Sequence, residues 1–152
     1  MTLKDFEEHV RKAALTDDEK RLIRLFDRVD MPLDFLPYTR EFDGLVREFD
    51  STQTHDGAKR ELFRRLYRYR QVGMLPWIPE SRSPGDSSAG EDAIVARAIA
   101  NRFAAEKRDL IDILYTPEFE DVVNELNSRR IGPPLGPNPT WRLLSRHYRS
   151  VA

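Results

Sequence analysis

The chain of 152 residues contains no cysteine. That excludes disulfides, thiolate nucleophiles and zinc sites built on sulfur. Imidazole is scarce as well: only His9, His55 and His147 are present, and none has a second histidine within one helical turn. With seven glycines, the chain has no phosphate-cradling glycine loop, no Gly-x-Ser-x-Gly elbow and no His-Glu-x-x-His. No apolar run approaches the roughly 20 residues that cross a bilayer. The opening MTLKDFEEHVRKAAL is charged and amphipathic, without the apolar centre of a secretory signal, so a cytoplasmic address is expected. No catalytic constellation, metal site or cofactor motif stands out, and the expectation is a protein that is not an enzyme.

What remains is a core-forming but heavily charged sequence, 39% hydrophobic and 34% charged, with a formal net charge of −1. The charge is unevenly spread. Residues 1–56 hold 9 Lys and Arg against 14 Asp and Glu, whereas residues 58–70 hold 6 against 1.

Helical signals run along most of the chain. A short amphipathic helix is expected after Thr2, carrying Phe6, Val10 and Ala14. Thr16-Asp-Asp-Glu19 reads as a capping box opening a helix with Leu22, Ile23, Leu25, Phe26 and Val29 on its apolar face. Pro32 and Pro37 flank a stretch expected to be extended or turn-like. Thr39 caps the next helix, to about Phe49, and Thr54 or Asp56 the one after, which buries Leu62, Phe63, Leu66 and Tyr69 and ends near Gly73. Residues 74–78 read as a short edge strand, and residues 79–87 (PESRSPGDS) as a linker. Beyond it, a capping box at Ser88 opens a long helix to about Leu114. Thr116-Pro117 starts a helix burying Phe119, Val122, Val123 and Leu126, and Asn138-Pro139 starts the last, with Trp141, Leu144 and Tyr148. Residues 131–137 (IGPPLGP) form a stiff irregular loop.

Residues 38–51, YTREFDGLVREFDS, align without a gap to residues 115–128, YTPEFEDVVNELNS. With one residue of difference in the loop, Phe63-Arg-Arg-Leu-Tyr-Arg68 then aligns with Trp141-Arg-Leu-Leu-Ser-Arg146. A helix precedes the motif in each half. The fold expected is mainly α, as two related tri-helical units at 1–78 and 88–152, with a short β-wing after the first.

Residues 61–76, ELFRRLYRYRQVGMLP, place Leu62, Leu66, Gly73 and Leu75 as an apolar helix followed by a Gly-Leu-Pro strand entry. In this, residues 17–78 resemble a winged-helix or helix-turn-helix DNA-binding module. The resemblance implies that the last helix enters the major groove while a following hairpin touches the backbone. The second copy ends at Ala152 with no residues for a wing, so the expectation rests on the first copy.

The residues themselves carry a related argument. Arg60, Arg64 and Arg68 form one stripe, with Lys59, Arg65 and Tyr67 on its margins. Arg142, Arg146 and Arg149 form a weaker stripe in the second copy. Guanidinium forks suit phosphate oxygens and guanine edges. Duplex DNA is therefore one expected partner and transcription regulation one expected role. The alternative is a solvated basic face paired with acids such as Glu41, Asp43 and Glu48, on a module that binds a protein partner or itself. Trp77, Trp141, Phe63, Tyr67 and Tyr69 would then supply an exposed aromatic–arginine surface.

Overall fold

The computed structural model describes Thr2, residues 15–76 and residues 90–147. The expected N-terminal helix, the linker at 79–87, Ser88, Trp77, Ile78, Tyr148 and Arg149 lie outside the described residues. The chain divides into two compact units, Met1–Pro79 and Glu80–Ala152. Among the described residues the structure is mainly helical, with six α-helices and no strand.

In the first unit, α1 (Asp17–Val29) starts at a complete capping box. The Thr16 Oγ1 accepts from the Glu19 amide at 3.2 Å, and the Glu19 carboxylate accepts from the Thr16 amide at 3.2 Å. These bonds satisfy two of the donors a helix start leaves unpaired. Leu22, Ile23, Leu25 and Phe26 are buried. The helix ends at Asp30, in the left-handed region with φ 54°. Of the two expectations for the segment between Pro32 and Pro37, extended or turn-like, the structure has the turn: Leu33–Phe35 forms a 3-10 turn. Side chains at i and i+3 eclipse in such a turn, and this aims both Leu33 and Leu36 into the core, where each is buried.

Thr39 then does two things. Its Oγ1 donates to the Leu36 carbonyl at 2.6 Å and accepts from the Phe42 amide at 3.1 Å, opening α2 (Arg40–Phe49). Phe42, Leu45, Val46 and Phe49 are buried. The cap of α3 (Asp56–Gln71) is His55, rather than Thr54 or Asp56. Its Nδ1 accepts from the Ala58 amide at 3.1 Å, with Nε2 directed to Gln53 Oε1. Phe63 meets the edge of Phe42 at 6.2 Å between centroids, in the T-shaped arrangement aromatic quadrupoles favour.

At its far end α3 closes in a Schellman motif: Gly73 (φ 75°) donates to the Arg70 carbonyl and Met74 to the Tyr69 carbonyl. The chain turns back so that Met74 and Leu75 are buried. Residues 74–76 carry no strand, so the portion of the expected β-wing that is described is a hydrophobic clasp on the helix end.

In the second unit, α4 (Glu91–Ala105) buries Ala96, Ile99, Ala100 and Phe103. It stops well before Leu114, the end the sequence pattern suggested. Lys107 adopts φ 55° and donates to the Ala104 carbonyl, while Arg108 donates to the Phe103 carbonyl, another Schellman closure. A 3-10 turn, Leu110–Ile113, follows, started by Asp109 accepting from the Ile111 amide at 2.9 Å. Beyond the break Leu110, Ile111, Ile113 and Leu114 are all buried.

Thr116 then repeats the double role of a cap, donating to the Ile113 carbonyl and accepting from Phe119, at the start of α5 (Pro117–Ser128). Phe119, Val122 and Leu126 are buried, with Val123 only half-buried. The last helix, α6 (Pro137–Ser145), starts at Gly136 rather than Asn138, and Thr140 ties back to the Gly136 carbonyl at 2.9 Å. Trp141 is fully buried, 6.5 Å from Phe119 between ring centroids.

Two half-buried tyrosines, Tyr38 (φ 66°) and Tyr115 (φ 61°), occupy the left-handed region immediately before Thr39 and Thr116. That conformation costs an L-residue roughly 1–2 kcal/mol. It reverses the chain between the 3-10 turn and the cap in each unit.

Candidate nucleic-acid interface on the third helix

Helix α3 buries Leu62, Phe63, Leu66 and Tyr69, which turns its basic residues outward. Arg68 is exposed, and Lys59, Arg60, Arg64, Arg65 and Tyr67 are half-buried. Several of the cations are engaged inside the unit. Lys59 Nζ lies 3.1 Å from Asp43, Arg64 pairs with Glu61 one turn earlier, and Arg70 lies 3.1 Å from Asp34. Arg65 donates to the Tyr69 hydroxyl at 3.2 Å, with its guanidinium 5.3 Å from the Phe49 centroid. Arg21 of α1 also packs over Phe49, at 4.8 Å, and bonds the Phe49 carbonyl at the end of α2. The basic helix therefore carries carboxylates among its cations, and two arginines clamp the C-terminus of α2 from neighbouring helices.

In the second unit Arg142 is half-buried and Arg146 exposed. The acids of this unit serve cations from other elements: Glu125 receives Arg102 at 3.0 and 3.1 Å, and Glu118 receives Arg108 at 2.6 Å. The Arg108 hydrogen bond holds the Glu118 carboxyl below its ordinary value, against a smaller opposing cost of burial. Hydrogen bonds from Thr16 lower Glu19 in the same direction, and those from Thr52 lower Asp50.

Of the aromatic residues expected on an exposed aromatic–arginine surface, Trp77 lies outside the described residues and Tyr67 is half-buried, with the Arg70 guanidinium 4.8 Å from its ring centroid. Phe63, Tyr69 and Trp141 are buried as core residues. They lie on the apolar faces of their helices, where burial removes large apolar area from water. Three large apolar residues are exposed among those described: Val72 at 50%, Ile94 at 68% and Ile131 at 91%.

Ile131 stands at the tip of loop 129–136, which two clasps hold. Arg130 pairs with Asp92 of α4 and donates through Nε to the Pro133 carbonyl at 2.8 Å. Asn127 brackets Leu135, donating to its carbonyl at 2.9 Å and accepting from its amide at 2.8 Å. Sequence reasoning passed over Ile131 because it read the segment only as a stiff loop. The available signal was a β-branched apolar residue between Arg130 and Gly132, where a turn usually carries polar residues.

An open cleft of about 420 Å³ in the first unit was likewise not anticipated. Val46, Phe49, Ala58 and Leu62 line it together with Asp18, Asp50, Glu61, His55 and Arg65. Among the described residues no group of His, Asp or Glu is arranged to hold a metal ion, and no helix is long and apolar enough to cross a membrane.

Comparison with protein families, with curated proteins and with solved structures yields no match for this chain.

Proposed function

We propose that the chain is a non-catalytic protein-interaction module built from two related three-helix units. The observation that carries this reading is Ile131, 91% exposed on a doubly clasped loop. An apolar side chain held out in water by a rigid support gains free energy when a partner buries it, and little ordering entropy is lost in doing so. The pairing of Lys59, Arg64 and Arg70 with Asp43, Glu61 and Asp34 supports the same reading, because it interleaves negative charge with the face that would otherwise meet phosphates.

Relatedness of the units is supported by more than the aligned strings. Leu22 and Ile99, Phe26 and Phe103, Asp30 and Lys107, Tyr38 and Tyr115, Thr39 and Thr116, and Phe42 and Phe119 recur at one constant separation along the chain. Within each pair the structural role is the same: a buried residue, a left-handed helix end, a left-handed tyrosine or a threonine cap. Duplication of one three-helix unit accounts for this correspondence with the fewest assumptions.

A second reading, contact with duplex DNA through Lys59, Arg60, Arg64, Arg65, Tyr67, Arg68, Arg142 and Arg146, draws on Arg68 and Arg146. These two are exposed and take matching places in the two copies. A duplex-DNA titration at low and moderate salt separates the readings. The interaction module gives no saturable binding at either salt. Binding that weakens with salt and with charge reversal at Arg64 and Arg68 would replace it with the second reading. In parallel, a photoreactive side chain at position 131 should give protein adducts that the same group at exposed position 97 does not.

A further inference from the structure

The exposed isoleucine and the open cleft have complementary chemistry. Ile131 is flanked by exposed Arg129, and Gly132 (φ 124°) turns the chain sharply just beyond it. The cleft of the first unit is lined by Val46, Ala58 and Leu62 and bordered by three carboxylates, Asp18, Asp50 and Glu61 (the last also paired with Arg64), against the one guanidinium of Arg65. At about 420 Å³ it falls within the roughly 300–1,000 Å³ of pockets that enclose small organic groups. One branched side chain with a flanking guanidinium fits that description.

We infer that loop 129–136 of one copy inserts Ile131 into the first-unit cleft of a second copy, with Arg129 against the carboxylate border. The inference rests on the protein-interaction reading above and identifies the partner as another molecule of this chain. The loop and the cleft are different surfaces, so the contact is heterologous: each copy offers one of each, and association continues head to tail unless the rotation closes a ring. Apolar insertion supplies the attraction, and the Arg129 charge selects the acidic cleft over other apolar surfaces. Preorganisation of the loop by Arg130 and Asn127 keeps the entropic cost low.

Sedimentation velocity of the full chain over a concentration series tests the pairing. The wild type should shift to larger species as concentration rises. Ile131→Asp, at a site 91% exposed, should remain a monomer at concentrations where the wild type associates. Glu61→Lys, whose side chain is 60% exposed, should weaken association at least tenfold. Mixing these variants gives the sharpest readout. The Ile131→Asp copy retains a working cleft and the Glu61→Lys copy a working loop, so the mixture should form a 1:1 complex that grows no further. Circular dichroism of each variant should match the wild type, and Ile131→Ser gives a second, uncharged route to the same loss.

A wild type that stays monomeric throughout would overturn the inference, as would undiminished association of Ile131→Asp or a mixture that fails to pair. Adducts from position 131 to a different protein, with the chain itself monomeric, would remove the head-to-tail contact while leaving the interaction reading intact. Salt-sensitive DNA binding would instead remove that reading.

Discussion

Asn127 closes both hydrogen-bonding groups of Leu135, donating from Nδ2 to its carbonyl at 2.9 Å and accepting at Oδ1 from its amide at 2.8 Å. One side chain thereby does for the loop what a neighbouring strand would do. It joins the last turn of α5 to the residue just before the Gly136 cap of α6.

Replacing Asn127 by Ala leaves two half-buried backbone groups without this partner. A loss of about 1–3 kcal/mol is expected. Hydrogen exchange should show the Leu135 amide losing protection before the amides of α4 and α6. Unchanged exchange at Leu135 would mean that the bracket contributes nothing to the loop.

Thr39→Ala and Thr116→Ala each remove a cap that also anchors the preceding 3-10 turn. Each should cost about 1 kcal/mol, in its own unit. Denaturant titrations of the two single variants and the double variant should give nearly additive losses, since each side chain bonds within its own cap and turn.

Phe63→Ala and Trp141→Ala each empty a fully buried site packed against an aromatic partner, Phe42 in one case and Phe119 in the other. Losses of about 3–5 kcal/mol are expected. For three-helix units of this size, that is a large share of total stability. Thermal melts followed by circular dichroism should show the affected unit unfolding first. Ile131→Ala, by contrast, should leave the melt unchanged at concentrations where the chain is monomeric.

Lys107→Gly should stabilise the second unit, by about 0.5–1 kcal/mol. Lys107 is exposed, with φ 55°, at the end of α4. Glycine takes that conformation without the roughly 1–2 kcal/mol an L-residue pays, and gives back part of the gain as chain entropy in the unfolded state. A lower midpoint in urea would show that the lysine side chain makes contacts worth more than the strain.

The lowered carboxyls give a pH dependence with a definite sign. Glu118 and Glu19 are more acidic in the folded chain than their ordinary 4.5, chiefly through hydrogen bonds from Arg108 and from Thr16. Their contribution is therefore fully present above that value and lost as pH falls through the folded-state values. Chemical denaturation between pH 7 and pH 3 should show stability falling on the acid side, and Glu118→Gln should flatten part of that fall. An equal slope in the variant would sink the assignment.

Much of the helical architecture was legible because its signals are local. The Thr16, Thr39 and Thr116 caps, the buried faces of α1, α2 and α3, and the stop at Gly73 all follow from interactions within a few residues. The end of α4 was not legible. Apolar residues continue past Ala105 at spacings a helix would allow, and no glycine or proline marks the stop. The break places Lys107 in a conformation that lysine disfavours, and Leu110, Ile111, Ile113 and Leu114 are buried beyond it. The basic stripe shows a similar division. Its register on α3 could be read directly, and Asp43 was among the acids expected to answer it, but the pairing of Arg70 with Asp34 depends on how distant segments meet.

By itself, then, the sequence determined where most helices begin, which faces they bury and that one motif occurs twice. Those properties depend on bonds and side-chain spacing over one or two turns. Only the tertiary structure decided which carboxylates the arginines reach, that a cleft opens beside α3, and that Ile131 is held in solvent. Long flexible side chains and loop tips take their environment from whatever the fold brings near them, and no periodicity along the chain records that proximity.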